Sequence, residues 1–185
     1  MNDHPASSEP LVERWFGPAF ALLHPQLQAL HRNGGMLRGP VQLSFGAGLA
    51  GAVGRALARR LGMPDGAASV QLEVTIHGDA DGLHWRRRFN DGPVFDSLFR
   101  PVGHFPDGHW IERSGMIALA LQVAVCDGGW HWRQRRLWLA GVPLPAWLMP
   151  RTIARKDVLD GRYLFSVEIA FPLLGKVLAY RGALQ

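Results

Sequence analysis

The first third of the chain carries hydrophobic side chains at helical spacing. Residues 11–32 place them three or four positions apart, which predicts an amphipathic helix. A break before Pro25 is expected, because proline lacks the backbone N–H that a helix interior uses. Residues 33–35 (Asn-Gly-Gly) end this helix. Residues 47–61 repeat the pattern and predict a second helix, which Gly62 ends.

Beyond residue 68 the hydrophobic period changes from helical to two. Residues 69–90 alternate apolar and polar positions on both sides of a four-residue turn, 79–82, which predicts a hairpin. The register that places Leu72 opposite Phe89 pairs apolar with apolar positions and acidic with basic ones, whereas a slip by one residue mixes the two faces. In this register Arg87 falls on the apolar face.

A second hairpin is predicted over residues 116–139. Its centre, Asp127-Gly128, is a preferred residue pair for a type I′ turn. Pairing Cys126 with Gly129 sets the register and predicts an apolar face for the second strand. That face carries Trp130, Trp132, Gln134, Arg136 and Trp138.

Shorter alternating segments complete the predicted sheet. The whole pattern predicts one α+β domain over residues 11–185, with two N-terminal helices packed on a large, curved, mostly antiparallel sheet that can curl into a half-barrel. Residues 1–10 are polar and predict a disordered tail. The additional predicted strands are residues 41–45, 94–99, 109–112 and a last hairpin over 163–184, which follows a proline-rich connection at 143–150.

Composition limits the class of protein more than the function. The chain has 185 residues, 48% of them hydrophobic, and a single cysteine, Cys126, so no disulfide within the chain is expected. The longest apolar run, residues 116–126, is shorter than the roughly 20 residues of a membrane span. The N-terminal residues lack the features of a signal peptide, and we expect a cytoplasmic protein without a membrane span. The net charge of +5 permits an anionic partner without requiring one.

Residues 130–138 mix tryptophan with arginine, a composition also found where proteins bind single-stranded nucleic acid. Alternation separates the two residue types, because the tryptophans share one face with each other and His131, Arg133 and Arg135 share the opposite face. A nucleic-acid platform needs aromatic and basic side chains on the same exposed face. We therefore expect no nucleic-acid partner.

Residues 46–51 match the glycine spacing of a dinucleotide-binding loop, with Gly46, Gly48 and Gly51 as the candidate cofactor residues. The segment follows a short strand and opens a helix, as that loop requires. The dinucleotide fold also needs repeated strand–helix alternation, and the chain has no long helical pattern after residue 61. The sequence therefore predicts no cofactor.

Acid–base chemistry has three candidate residues, Glu112, Glu168 and His109. Each glutamate could act as a general base if it were buried, but a sheet glutamate paired with arginine is more common. The eight histidines show no metal-binding spacing on a helix, and no metal is predicted. A small acid–base enzyme is thus an alternative hypothesis, and a non-catalytic domain is favoured.

Polar side chains on apolar faces are the most informative feature of the sequence. They indicate either internal ion pairs, with Glu112 or Glu168 as partner, or a ligand pocket with aromatic walls and a few polar anchors. The leading hypothesis is a binding or accessory domain for a small apolar molecule, and a protein-interaction module is a further alternative. The predicted pocket residues are Trp85, Arg87, Trp132, Gln134, Arg136 and Trp138.

Several motifs together resemble a known family. They are Trp85-x-Arg87-x-Phe89, the segment 141–145 (Gly-Val-Pro-Leu-Pro), Pro172-Leu-x-Gly175 and Tyr180-x-Gly182-x-Leu184. The chain is similar over residues 11–185 to an uncharacterised bacterial family, the domain of unknown function 4166. Members often follow saccharopine-dehydrogenase-like NAD-binding domains, so the resemblance implies a reductase as a partner in trans. The family has no established activity to carry over.

Overall fold

The structure is a computed structural model that describes residues 9–66 and 68–185. Residues 1–8 of the predicted disordered tail lie outside the described residues. The helices are α1 (Leu11–Phe16), a 3-10 helix (Gly17–Leu22), α2 (Pro25–Asn33) and α3 (Gly48–Arg60). The strands are β1 (Gly35–Phe45), β2 (Ser69–Gly78), β3 (Leu83–Phe89), β4 (Val94–Val102), β5 (His109–Ser114), β6 (Ile117–Cys126), β7 (Gly129–Leu139), β8 (Val142–Pro143), β9 (Arg151–Leu159), β10 (Arg162–Phe171) and β11 (Gly175–Leu184).

The predicted helix over residues 11–32 is three short segments. Gly17 has a φ of 55°, which ends α1, and the next turns are a 3-10 helix. Pro25 begins α2, where its missing N–H costs nothing, and the His24 side chain caps the helix by accepting a hydrogen bond from the Gln26 backbone N–H at 3.2 Å. Gly34, at φ 72°, ends α2 as predicted. The prediction of α3 over residues 47–61 is confirmed to within one residue at each end.

Ten antiparallel strands close into a barrel in the order β1–β2–β3–β4–β5–β6–β7–β9–β10–β11 and back to β1. The two-residue strand β8 adds only to the free end of β7. The predicted α+β fold with an open, half-barrel sheet is therefore wrong, because the sheet is closed and the described helices are short. The physical reason is β9, an unpredicted strand that bridges β7 and β10 and so removes both edges of the sheet.

The first two predicted hairpins differ in how far the predicted register holds. The register of β2 and β3 is as predicted, with Leu72 opposite Phe89. The register of β6 and β7 is as predicted from the turn to Leu121 opposite Gln134, but beyond a β-bulge Ala120 faces Arg136. A bulge adds one residue to one strand and so exchanges the two faces of everything beyond it.

The described helices lie at opposite ends of the barrel. At one end α1 and α2 plug the lumen with aromatic side chains, among them Phe16, whose ring lies 5.0 Å from that of Trp130, and Trp15, whose ring lies 5.3 Å from that of Trp110. At the other end α3 follows directly from β1 and packs on β11. None of the helices in the described ranges has the length and apolar character needed to cross a membrane.

Candidate functional site

A cavity of about 320 Å³ lies in the lumen between the aromatic plug and α3. Side chains from nine of the ten barrel strands line it, and most of them are apolar. Leu57 and Leu61 of α3 border its far end, where exposure rises and Leu139 is 44% exposed. The cavity is thus closed at the α1/α2 end and reaches solvent beside α3.

A hydrogen-bonded group of polar side chains crosses the wall formed by β3, β4 and β5. The Arg87 Nη2 group donates to Glu112 Oε1 at 3.1 Å and also to the Ser97 hydroxyl. The Ser97 hydroxyl donates to Glu112 Oε1 at 2.8 Å and lies 2.6 Å from the Ser114 hydroxyl. The ion-pair alternative for Arg87 is therefore observed, with Glu112 and not Glu168 as the partner, and both side chains are about 15% exposed.

The electrostatics of this group follow from burial and from the pairing. Burial alone lowers the pKa of Arg87, but Glu112 and then Tyr180 outweigh it and raise the pKa above its ordinary value. The guanidinium is therefore charged, and the pair carries no net charge. Burial raises the pKa of Tyr180, with Arg87 opposing that shift, so its phenol is protonated and neutral.

The amine of Lys156 on β9 is enclosed by tryptophans. Its Nζ atom lies 3.8 Å from the ring centroid of Trp85, 4.5 Å from that of Trp130 and 4.8 Å from that of Trp132. The side chain is 3% exposed, and Nζ has no hydrogen-bond partner among the described residues. Indole faces attract a cation, but they leave its three N–H donors without an acceptor of ordinary strength. Burial lowers the pKa of Lys156 well below its ordinary value, Arg87 lowers it further, and Glu112 opposes the shift.

His31 of α2 closes the lumen next to this lysine. Its ring centroid lies 4.5 Å from that of Trp130, and neither ring nitrogen has a hydrogen-bond partner in the described part of the chain. Burial, and secondarily the charge of Lys156, lowers the pKa of His31 well below its ordinary value. The imidazole is therefore neutral, and it contributes no charge to the closed end of the lumen.

The structure separates the six predicted pocket residues into two groups. Trp85, Arg87 and Trp132 line the cavity. Gln134 instead holds the proline-rich connection, because its side-chain amide donates to the Pro150 carbonyl at 2.8 Å. The remaining two, Arg136 and Trp138, lie beyond the β-bulge and face away from the lumen, and Arg136 is exposed.

The three candidate acid–base residues do not come together. Glu112 lines the cavity and is engaged by Arg87 and Ser97. Glu168 is exposed on the outer face of β10, and His109 is half-buried at the start of β5.

The glycines of residues 46–51 permit close packing at the start of α3. A Cβ atom on Gly46 would collide with the Lys176 backbone carbonyl, and one on Gly51 would collide with the Gly46 carbonyl. Gly48 has open space around it but a φ of 53°, which favours glycine. The glycine spacing is thus explained by the fit of α3 between β1 and β11.

Lys156, Ser97, Ser114 and Tyr180 are site residues that sequence reasoning missed. The turn before β10 carried a usable signal, since Asp160-Gly161 is the same type I′ pair as Asp127-Gly128 and has φ values of 51° and 71°. A hairpin centred there pairs Lys156 with Phe165. It places the lysine on the face that points into the lumen.

Among the described residues, one group of side chains could hold a metal ion. His77, Asp79 and His84 lie at the β2–β3 turn, with ligand atoms all within 4.8 Å of one another. Asp79 Oδ1 already accepts hydrogen bonds from the backbone N–H groups of Asp81 and Gly82, at 2.8 and 3.1 Å. The carboxylate therefore also has a structural role in the turn, and the group lies far from the cavity end at α3.

A second concavity, of about 580 Å³, lies outside the barrel on β1, β9, β10 and β11. It is larger than the lumen cavity and has a more polar lining. Its lining includes Gln42, Ser44, Arg155, Ser166, Glu168, Lys176 and Arg181. Because these side chains are those of an ordinary solvated sheet face, the lumen is the better candidate site.

Fold and site together define a closed antiparallel β-barrel with a largely apolar lumen and a group of buried polar side chains in its wall. The chain belongs to the family described as Domain of unknown function (DUF4166), which matches residues 23–184. The match begins just before α2 and runs through β11, so it contains the barrel and every residue that lines the cavity. It confirms the family resemblance of the sequence. Neither the curated proteins nor the solved structures contain a significant match.

Proposed function

We propose that the barrel binds a small, largely apolar molecule in its lumen. The observation that carries the proposal is the cavity of about 320 Å³, whose lining is apolar except for a few polar side chains. Ligand sites for small molecules are typically concave, mostly apolar and from about 300 Å³ upward, with a few polar groups that orient the ligand.

The energetics of an unfilled lumen support this proposal. At about 24 cal/mol per Å³ of unfilled apolar volume, the 320 Å³ cavity corresponds to at most roughly 8 kcal/mol of packing that a ligand can recover. A free energy of that size is equivalent to a dissociation constant of about 1 μM. Solvent access beside α3 lowers the figure, so micromolar affinity is the upper end of what the cavity supports.

The alternative functions have less support. An acid–base enzyme needs a carboxylate or histidine that is available to a substrate, and Glu112 is already engaged by Arg87 and Ser97. A reductase partner in trans remains a prediction from the family resemblance.

A blocking substitution tests the proposal. The probe is N-phenyl-1-naphthylamine, a neutral apolar dye that fluoresces in apolar surroundings. Val167 points into the cavity and its neighbour Glu168 points outward, so Val167→Trp fills the lumen and Glu168→Trp is the matched control on the same strand. We expect wild type and Glu168→Trp to bind the dye alike, and Val167→Trp to bind at least about tenfold more weakly, a loss of about 1.4 kcal/mol. Thermal melts establish that both variants are folded. Absence of binding by wild type, or equal binding by a folded Val167→Trp, would contradict the proposal.

A further inference from the structure

The lumen holds one more positive than negative side chain whenever Lys156 is protonated. Besides Lys156, three side chains there can carry charge at ordinary pH, namely Arg87 on β3, Glu112 on β5 and His31 on α2. Burial raises the pKa of the two lumen tyrosines, Tyr163 and Tyr180, so their phenols are neutral. Arg87 and Glu112 form an ion pair, and the buried imidazole of His31 is neutral. Lys156 therefore has no carboxylate of its own, although Glu112 attracts it at longer range.

The surroundings of Lys156 lack what a permanently buried ammonium normally has. Buried charges in proteins are paired and hydrogen-bonded, because desolvation otherwise costs several kcal/mol. The Nζ atom has three indole faces and no hydrogen-bond acceptor among the described residues. Its side chain nevertheless lines the cavity, so an acceptor that enters the lumen can come within reach of Nζ by a change in the side-chain torsions.

The position of Lys156 along the barrel specifies the shape of such an acceptor. The lysine pairs with Trp130 across β7 and β9, and the Trp130 ring contacts Phe16 and His31 of the plug. The apolar part of the cavity extends from there to Leu57 and Leu61 of α3. A ligand with its polar group at Lys156 must therefore carry an apolar tail that runs the length of the lumen.

On the basis of the proposed function, we propose that the ligand is a monocarboxylic acid with an unbranched apolar tail, whose carboxylate accepts hydrogen bonds from Lys156. A single carboxylate balances the single positive charge of a protonated Lys156, whereas a dianionic phosphate brings a second charge into the apolar lumen. The tail lies against the leucines and aromatic side chains that line the wall. At about 30 Å³ for each water-sized group, the cavity holds roughly ten such groups, which makes decanoic acid a suitable probe.

The carboxylate also affects the protonation of the lysine. In the unliganded lumen, burial favours the neutral amine. A carboxylate next to Nζ favours the ammonium, because an opposite charge at hydrogen-bond distance stabilises the charged form. Decanoate should therefore raise the pKa of Lys156, and a neutral ligand of the same length should not.

The test compares decanoate with 1-decanol, which has the same tail and no charge, by displacement of the fluorescent dye. We expect wild type to bind decanoate about ten- to a hundredfold more tightly than decanol, the range for a hydrogen bond to a charged group. Lys156→Met should remove that preference and change decanol affinity by less than about threefold, within the spread of a volume-conserving substitution. Lys176→Met removes the chain's other lysine, which is exposed, and should behave as wild type.

The outcomes distinguish this inference from the proposed function. If neither ligand displaces the dye, the lumen does not bind apolar molecules and both proposals fail. If both ligands bind equally, and Lys156→Met leaves them equal, the lumen binds apolar molecules but the carboxylate anchor is wrong.

A measurement on wild type covers the case in which Lys156→Met does not fold. The chain has only two lysines, so ¹³Cε-lysine labelling gives one NMR signal for Lys156 and one for Lys176, which is an internal reference. Decanoate should shift the Lys156 signal and raise its titration midpoint, leaving the Lys176 signal in place, and decanol should do neither. An unmoved Lys156 signal at saturating decanoate would overturn the inference.

Discussion

Substitution of Lys156 by methionine should stabilise the unliganded protein. Methionine keeps an unbranched apolar side chain of similar volume in the tryptophan cage and removes the amine that has no hydrogen-bond acceptor among the described residues. A buried polar group without a partner costs about 1–3 kcal/mol, and its removal should return that amount. For a domain of this size, each kcal/mol raises the melting temperature by about 2–4 °C.

The stabilisation by Lys156→Met should depend on pH, because the pKa of Lys156 differs between the folded and the unfolded protein. Because the pKa of Lys156 is lowered in the folded state, the unfolded chain binds a proton that the folded chain does not. Between the folded-state pKa and the unfolded value of about 10.4, wild-type stability therefore rises with pH, by up to about 1.4 kcal/mol per pH unit. Above the pKa of the unfolded chain, the amine is neutral in both the folded and the unfolded protein, and folding no longer requires the loss of a proton from Lys156.

Urea denaturation of wild type, Lys156→Met and Lys176→Met between pH 6 and pH 10.5 measures both effects. We expect the advantage of Lys156→Met to be largest at neutral pH and to shrink as the pH approaches the unfolded value. Lys176 is exposed, so Lys176→Met should track wild type throughout. If Lys156→Met is less stable than wild type, and their difference is constant over the pH range, then the ammonium is charged and well solvated in the folded lumen. The reasoning about the cage is then refuted.

Two further predictions concern the lumen wall and α3. Replacement of Arg87 alone by methionine leaves the Glu112 carboxylate without its partner and should destabilise the protein by up to about 3 kcal/mol. The double variant Arg87→Met with Glu112→Leu should recover most of that loss. If the unfolding free energies from urea denaturation are strictly additive, the pairing is contradicted. Gly54→Ala places a Cβ against the backbone of β11 and should cost about 1–3 kcal/mol despite the higher helix propensity of alanine. Gly66 has open space around it, so Gly66→Ala is the control and should change the unfolding free energy by less than about 0.5 kcal/mol. If Gly54→Ala and Gly66→Ala are equally stable, α3 is not packed closely on the barrel.

Elements whose hydrophobic pattern matches their burial could be predicted from the sequence. The β2–β3 hairpin alternates as its faces require, and Arg87 was placed in the apolar wall because it interrupts that alternation. In strand β9 the hydrophobic pattern does not match the burial, since Ile153 is 43% exposed on the outer face and Lys156 is 3% exposed on the inner face. A strand with a charged inner position and an apolar outer one does not show the alternation by which strands are recognised. The closure of the barrel and the lysine of the site were missed together for this reason.

The β-bulge in β7 explains the remaining errors at the site. Arg133, Arg135 and Arg136 are the same residue type, so the sequence does not show where the additional residue enters the strand. Continuous alternation from the turn therefore assigned Arg136 and Trp138 to the lumen, where Leu137 lies instead. A local pattern defines a register only as far as the first irregularity.

The pairing of β1 with β11 also has a consequence for how the chain folds. Val41 lies opposite Gly182, so the barrel closes through a contact between strands near the two ends of the described chain. Contacts of such long sequence separation carry a large loop-closure entropy, and folds that depend on them form slowly. On the ribosome, the β1 and β10 edges stay unpaired until β11 has been synthesised, and an unpaired strand edge is a template for association with other chains. The final strand thus decides when the nascent protein stops being prone to aggregation.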